Sequence, residues 1–131
     1  MNDTLSIRYT TRKGKLPRLP FLRMKDAVLG ASYELSVASV GRDRMKTLNR
    51  GYRGKNYATD ILSFPISKTS GEIILYLPAA YAKAKKQGVR GADYLGFLFI
   101  HGLLHLAGHG HGRIMEREEK ALCARFGFRV A

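Results

Sequence analysis

Residues 101–111, HGLLHLAGHGH, constrain the fold more than any other segment of the chain. His101 and His105 are four residues apart at the end of a long apolar run. On one helix, two such residues project from the same face, about 5–6 Å apart. That spacing lets two imidazoles bind one metal ion at about 2.0–2.1 Å from each nitrogen. The segment therefore predicts an apolar helix that ends in a metal site.

A third ligand is predicted beyond the end of that helix. Gly108 can adopt a positive φ without steric cost, so it predicts a turn that brings the chain back towards the two imidazoles. His111 then completes a set of three, and the fourth position is left for water, as in catalytic zinc sites. We predict one Zn²⁺ ion per chain, bound by His101, His105 and His111. His109 is the alternative third ligand.

The remaining pattern predicts an α+β fold. Strands are expected at residues 4–9, 33–40, 60–67 and 71–77, and helices at 21–30, 43–50, 78–87, 92–107 and 113–125. The turn between the last two strands predicts an antiparallel hairpin, with Pro65 at a sheet edge or bulge. Asp43 is expected to be a helix N-cap. Because no strict βαβ repeat occurs, we expect one small mixed sheet with helices, in a single domain spanning residues 1–131.

The charge of the chain favours a polyanionic partner. Twenty-three Lys and Arg residues against ten Asp and Glu residues give a formal net charge of +13. Nucleic acid is the commonest reason for such an excess, and a basic surface that serves only solubility is the alternative. Lys55 and the lysines of residues 83–86 are candidates for contacts with an RNA backbone, or form a solvated lysine face.

Other features indicate the cellular context. The sequence has no apolar stretch long enough for a membrane span and no secretory h-region, so we expect no membrane partner. A single cysteine, Cys123, excludes an internal disulfide and fits a reducing compartment. We therefore expect a cytoplasmic protein.

The histidine spacing is similar to the metzincin protease motif H-E-x-x-H-x-x-G-x-x-H. In those proteases the second position is a glutamate that acts as general base, whereas this chain has Gly102. Peptide hydrolysis is therefore disfavoured, although a metalloprotease-like hydrolase is kept as an alternative.

The segment more closely resembles the H-G-x-L-H-L-x-G-x-x-H signature of the YbeY family of bacterial rRNA-maturation endoribonucleases. Residues 48–65, LNRGYRGKNYATDILSFP, are similar to the family's L-N-x-x-Y-R followed by T-D-V-L-S-F-P. Glu72 lies in Gly-Glu-Ile, where the family usually has Gly-Asp-Ile. His109-Gly110 replaces the family's Tyr-Asp before the third histidine. The missing aspartate predicts weaker orientation of a ligand or of a water molecule.

This resemblance implies a zinc-bearing endoribonuclease specific for single strands, with a fold distantly related to the zinc proteases. It implies a role in rRNA maturation at the 3′ end of the small-subunit rRNA and in ribosome quality control. The implied metal ligands are again His101, His105 and His111, and the implied catalytic arginine is Arg53. The expected partners are single-stranded RNA, rRNA and the small ribosomal subunit, with a small-subunit ribosomal protein or a ribosome-associated GTPase. A non-catalytic zinc-containing ribosome-assembly factor is the second alternative.

Phosphodiester chemistry suits these residues. A metal ion held by three histidines lowers the pKa of water to about 7 and polarises a phosphoryl oxygen. An arginine can neutralise the phosphate by bidentate contact, and we assign this role to Arg53, whose alternative is an exposed helix-end position without a catalytic part. Structural roles are favoured for Thr59 and Ser63. The nearby glutamates could supply a carboxylate to the site, but the outer face of a helix is favoured for all three. These glutamates are Glu116, Glu118 and Glu119.

Overall fold

The computed structural model describes residues 4–11 and 15–130. The strands in this part of the chain are β1 (Leu5–Tyr9), β2 (Glu34–Ser39), β3 (Ile61–Ser67) and β4 (Ser70–Leu75). The helices are α1 (Phe21–Leu29), α2 (Arg42–Arg53), α3 (Leu77–Gln87), α4 (Gly91–Leu106) and α5 (Arg113–Phe126). No helix of the described residues is both long and apolar enough to cross a membrane.

The strands form one mixed sheet in the order β1-β2-β4-β3. β1 and β4 both run parallel to β2, whereas β3 and β4 form the predicted antiparallel hairpin. β3 is an edge strand, and its register shifts between Pro65 and Ser67, because proline has no N–H to donate to a neighbouring strand. The α+β prediction and the placement of Pro65 are therefore confirmed.

The two faces of the sheet carry different helices. Side chains alternate across a strand, so neighbouring residues of β4 enter different clusters: Ile73 packs with α1, α3, α4 and α5, and Ile74 packs with α2. Met45 of α2 is fully buried in the smaller cluster. The edge strand β3 lies between these two layers and exposes its free side to solvent.

Helix α4 forms the centre of the larger core. Leu95, Phe99 and Leu103 are completely buried. The helix ends at Leu106, and Gly108 has a φ of +96°, so the predicted glycine turn is confirmed. The buried face of α4 therefore fixes the position of the helix end, from which the Gly108 turn begins.

Gly102 allows α4 to approach the edge strand closely. An added Cβ at this position would lie 2.8 Å from Ile61 Cδ1 and 2.9 Å from Ser63 Oγ, both on β3. Real Cβ atoms essentially never make contacts this short. A side chain at residue 102 would therefore force the side chains of Ile61 and Ser63 to move.

Two helix boundaries differ from the prediction. The N-cap of α2 is Gly41, so the prediction that Asp43 is the N-cap is wrong. Asp43 lies in the first turn, where its negative charge interacts favourably with the positive end of the helix dipole. The helix also continues past Arg50 to Arg53, and Gly54 closes it with a φ of +66°.

Lys25 is a buried charge on α1 that the sequence pattern did not indicate. Its side chain is completely buried, and its Nζ donates hydrogen bonds of 2.9–3.1 Å. The acceptors are Thr4 Oγ1 and the carbonyl oxygens of Gly30, Ala31 and Tyr33. Lys25 also forms a 2.7 Å ion pair with Asp26. Lys25 therefore connects the end of α1 to the starts of β1 and β2.

Candidate metal centre

Three histidines converge at the end of α4. His101 and His105 lie on the last two turns of the helix, and His111 lies in the loop that follows Gly108. The ring centroids are 4.6 Å apart for His101 and His105, 4.8 Å for His105 and His111, and 5.5 Å for His101 and His111. One possible ligand atom from each histidine lies within 4.8 Å of the others, so the cluster could hold a metal ion. The side chain of His109 is not part of this cluster.

Hydrogen bonds orient two of the rings. His101 Nδ1 lies 2.5 Å from Glu119 Oε2, and His105 Nδ1 lies 3.1 Å from the His109 carbonyl oxygen. Because a carboxylate and a carbonyl can only accept, each Nδ1 is assigned the proton and donates. Each Nε2 then keeps a free lone pair, and the two Nε2 atoms are 3.0 Å apart. Lone pairs this close repel unless a cation lies between them, so the donor set fits a divalent metal such as zinc.

The electrostatic surroundings of His105 also favour its neutral ring. Burial lowers its pKa, and the neighbouring His101 lowers it further; the hydrogen bond to the His109 carbonyl opposes these effects only in part. A histidine binds metal through its neutral ring, so a lowered pKa favours metal binding over protonation.

The prediction that all three glutamates lie on the outer face of a helix is wrong for Glu119. Its side chain is buried against His101, whereas Glu116 and Glu118 are exposed as predicted. Glu119 lies four residues after Met115 and four before Cys123, and both of these residues are buried on the same side of α5. That four-residue spacing is a sequence signal that could have identified Glu119.

A cavity of about 700 Å³ opens beside the three histidines. Arg53 is the last residue of α2 and is exposed, as its alternative reading expected. It also lines the same cavity and so lies beside the candidate metal site. Lys83 also lines the cavity, whereas Lys55 does not. Two cationic side chains and three imidazoles thus share one space.

Lys83 differs from the neighbouring Lys85 and Lys86 because it has an acidic partner. Its Nζ donates a 3.0 Å hydrogen bond to Asp60, which is buried and also accepts a 3.3 Å bond from Thr59 Oγ1. Burial lowers the pKa of Lys83, but the hydrogen bond and the charge of Asp60 outweigh this effect and raise the pKa. Lys83 is therefore a cation at the cavity that is paired with Asp60, although it is exposed to solvent like Lys85 and Lys86.

Two further residues of the predicted blocks have structural contacts. Ser63 Oγ donates a 3.3 Å hydrogen bond to the Gly102 carbonyl and so links β3 to α4. Glu72 lies opposite Phe64 in the hairpin and forms a 3.2 Å ion pair with Arg8. Glu72 does not line the histidine cavity.

Fold and site together define a small α+β protein with a three-histidine cluster that could hold a metal ion beside two basic side chains. A family model described as endoribonuclease YbeY matches residues 19–127. The chain therefore belongs to the YbeY endoribonuclease family. This membership supports a nuclease role, that is, a hydrolase that acts on RNA.

Individual relatives agree with the family match. The chain is 35% identical over 114 residues to endoribonuclease YbeY of Geobacillus kaustophilus, which covers 72% of this chain and 73% of that protein. It is 32% identical over 124 residues to endoribonuclease YbeY of Albidiferax ferrireducens, covering 88% and 84% of the two chains. The fold is similar to the solution structure of TM1509 from Thermotoga maritima, with a TM-score of 0.66, 26% identity, and coverage of 93% and 88%.

Proposed function

We propose that the chain is a zinc-dependent endoribonuclease that cleaves single-stranded RNA. We place its action in the cytoplasm, in maturation of the 3′ end of the small-subunit rRNA and in ribosome quality control. The observation that carries the proposal is the shared cavity, in which three convergent imidazoles lie beside Arg53. Family membership gives independent support for RNA as the substrate class.

In this proposal, His101, His105 and His111 bind the ion through ring nitrogens. When bound, zinc supplies Lewis-acid chemistry, since it makes water more acidic and withdraws electron density from a phosphoryl oxygen. Glu119 holds the ring of His101 in place by accepting a hydrogen bond from its Nδ1–H group. Arg53 provides a planar fork for two oxygens of the scissile phosphate.

The surroundings of Gly102 favour a nuclease over the protease-like alternative. Metzincins have their general-base glutamate at the corresponding position. Here residue 102 faces Ile61 and Ser63 of β3 at distances that exclude even a Cβ. A phosphodiester carries its own negative charge, which Arg53 complements, whereas the charge of Lys83 in the same cavity is balanced by Asp60. A panel of peptide substrates tests the alternative, and we expect no cleavage.

The proposed partners are single-stranded RNA, rRNA and the small ribosomal subunit, with a small-subunit ribosomal protein or a ribosome-associated GTPase. The salt dependence of RNA binding tests the first of these partners. A chain with a net charge of +13 should bind RNA largely through phosphates. If about six phosphates are neutralised, the logarithm of the binding constant should fall with the logarithm of salt concentration with a slope of roughly −4. A nearly flat response would show that the basic surface serves something other than nucleic acid.

Metal content tests the ligand assignment. Purified protein should contain about one zinc per chain, and His101→Ala, His105→Ala and His111→Ala should each reduce that content sharply. His109→Ala should have little effect, because His109 contributes its carbonyl and not its ring. An empty site in His109→Ala together with a filled site in His111→Ala would overturn the assignment.

Cleavage of single-stranded RNA tests the catalytic assignment of Arg53. Arg53→Ala should retain zinc and fold normally, but cleave about 10²–10³-fold more slowly, the loss expected for one electrostatic stabiliser. Arg53→Lys should restore little, because lysine presents a point charge and not a fork. Arg50→Ala is the matched control, since Arg50 is exposed on the same helix and outside the cavity. Equal cleavage by wild type, Arg53→Ala and His105→Ala would favour the non-catalytic assembly factor instead.

A further inference from the structure

A second cavity of about 810 Å³ lies on the sheet face that α2 covers only in part. We call it the sheet-face groove. Its lining includes two arginines, one carboxylate and two aromatic rings: Arg8, Arg44, Glu72, Tyr52 and Phe64. Tyr52 and Phe64 line the histidine cavity as well, so these two aromatic rings form the boundary shared by the two spaces.

The shared boundary is a tilted pair of aromatic rings, one of which is largely exposed. The ring centroids of Tyr52 and Phe64 are 4.1 Å apart and the planes are inclined by 41°. Phe64 is half-buried on the edge strand, whereas Tyr52 is 66% exposed although it contacts Phe64. Much of the Tyr52 ring is therefore free to contact another planar group. Tyr57, 53% exposed, lines the histidine cavity on the other side of this boundary.

Charge in the groove favours an anionic occupant. Two arginines, Arg8 and Arg44, line it against a single carboxylate, Glu72. Arg8 is paired with Glu72 at 3.2 Å, but its side chain remains 62% exposed. Arg44 is exposed and forms no ion pair with any described residue. Aromatic rings beside exposed basic side chains are the combination that binds single-stranded nucleic acid without sequence preference.

We propose that Tyr52 and Phe64 form a base-stacking platform that guides single-stranded RNA from the histidine cavity into the sheet-face groove, where Arg44 and Arg8 contact its phosphates. This proposal rests on the proposed function, because it extends the path of the same substrate beyond the cleavage cavity. It also gives a physical reason for a preference for single strands. Only an unpaired base has a face free to stack on Tyr52, whereas bases inside a duplex are already stacked on their neighbours.

Binding measurements on the purified protein test the platform. The probe is a short fluorescent single-stranded RNA with a phosphorothioate backbone, which slows cleavage, and the readout is fluorescence anisotropy at several salt concentrations. Tyr52→Ala should weaken binding about 10-fold or more, and Tyr52→Phe should stay within about twofold of wild type, because the ring is retained. Arg44→Ala should reduce the magnitude of the salt slope by about 0.7, the contribution of one phosphate. Arg50→Ala, on the same helix but outside both cavities, should leave the slope unchanged.

The outcomes separate this proposal from the nuclease proposal. Unchanged affinity in Tyr52→Ala overturns the platform, whether or not the wild type cleaves unmodified RNA. Weakened binding in Tyr52→Ala, with no cleavage by the wild type, supports the platform and overturns the nuclease proposal. If circular dichroism shows that Tyr52→Ala is misfolded, the salt slope of Arg44→Ala tests the proposal instead, and a slope smaller in magnitude than that of wild type supports RNA binding in the groove. A slope equal to that of Arg50→Ala assigns the groove to a partner other than RNA.

Discussion

Removal of the Glu119 carboxylate should weaken metal binding although Glu119 is not one of the proposed ligands. Its Oε2 lies 2.5 Å from His101 Nδ1 and so fixes the ring with Nε2 directed at the centre of the cluster. Two substitutions separate the contribution of the acceptor oxygen from that of the negative charge. Glu119→Gln keeps an acceptor oxygen but loses the charge, and Glu119→Ala loses both.

The expected magnitude follows from the burial of the pair. The side chains of His101 and Glu119 are 24% and 11% exposed, so solvent screens their interaction only weakly. Loss of a partner that orients a metal-binding histidine typically weakens metal affinity 10–100-fold, or about 1.4–2.7 kcal/mol. We expect the zinc affinity to be about 10-fold weaker in Glu119→Gln and about 100-fold weaker in Glu119→Ala.

Competition with a chromophoric zinc chelator at constant pH measures these affinities. Glu118→Gln is the matched control, because it makes the same chemical change at an exposed neighbouring position. Thermal unfolding of each metal-free variant checks that the fold is intact. A well-folded Glu119→Ala protein with an affinity within twofold of wild type would refute the reasoning, since the carboxylate would then have no part in holding His101.

Three further predictions concern packing and burial. Gly102→Ala should destabilise the protein by about 1–3 kcal/mol in chemical denaturation, because the packed side chains of Ile61 and Ser63 would have to move. Gly51→Ala, on a helix with nothing within 4 Å of the added Cβ, should instead stabilise it by up to about 1 kcal/mol, and equal effects would contradict the packing argument. Lys25→Met leaves buried acceptors without their donor, so we expect a loss of about 3–5 kcal/mol, against less than about 0.5 kcal/mol for the exposed Lys120→Met. Burial raises the pKa of the Cys123 thiol to about 11, so alkylation at mildly alkaline pH should be far slower in the folded protein than in denaturant; similar rates would show that the thiol is accessible.

Features determined by neighbouring residues could be predicted from the sequence. The hairpin follows from a polar turn between two apolar runs, and the edge position of β3 follows from Pro65. The turn at Gly108 follows from the conformational freedom of glycine. In each case the physical cause and its effect lie within a few residues of each other, so the pattern alone was sufficient.

Features that depend on contacts between distant elements could not be predicted in the same way. Charged residues are normally exposed, so Lys25 gave no sign of burial, and the spacing of Glu119 on α5 did not show which residue it would contact. Glu119 is buried because α5 packs on α4 and brings it to His101, 18 residues away in sequence. Lys83 likewise gains an acidic partner because the fold brings Asp60, 23 residues earlier, beside it. These contacts complete the cavity, and they arise from tertiary packing.

The structure also changes how the departure from the family motif should be judged. His109-Gly110 replaces Tyr-Asp, and loss of an aspartate predicted weaker orientation of a ligand. However, His105 donates its Nδ1 proton to the carbonyl of His109, a backbone group that any residue at that position supplies. The carboxylate at the site comes instead from Glu119, on a different helix.

This source of negative charge matters in a protein with a net charge of +13, whose overall potential attracts RNA but opposes a metal cation. Two local features offset that potential. His105 lies in the last turn of α4, where the negative end of the helix dipole favours a cation, and Glu119 adds a buried carboxylate. Arg53 lines the same cavity, where it complements a phosphate. The cavity can therefore favour a metal ion at the histidines and a polyanion beside it, because the two attractions come from different elements of the fold.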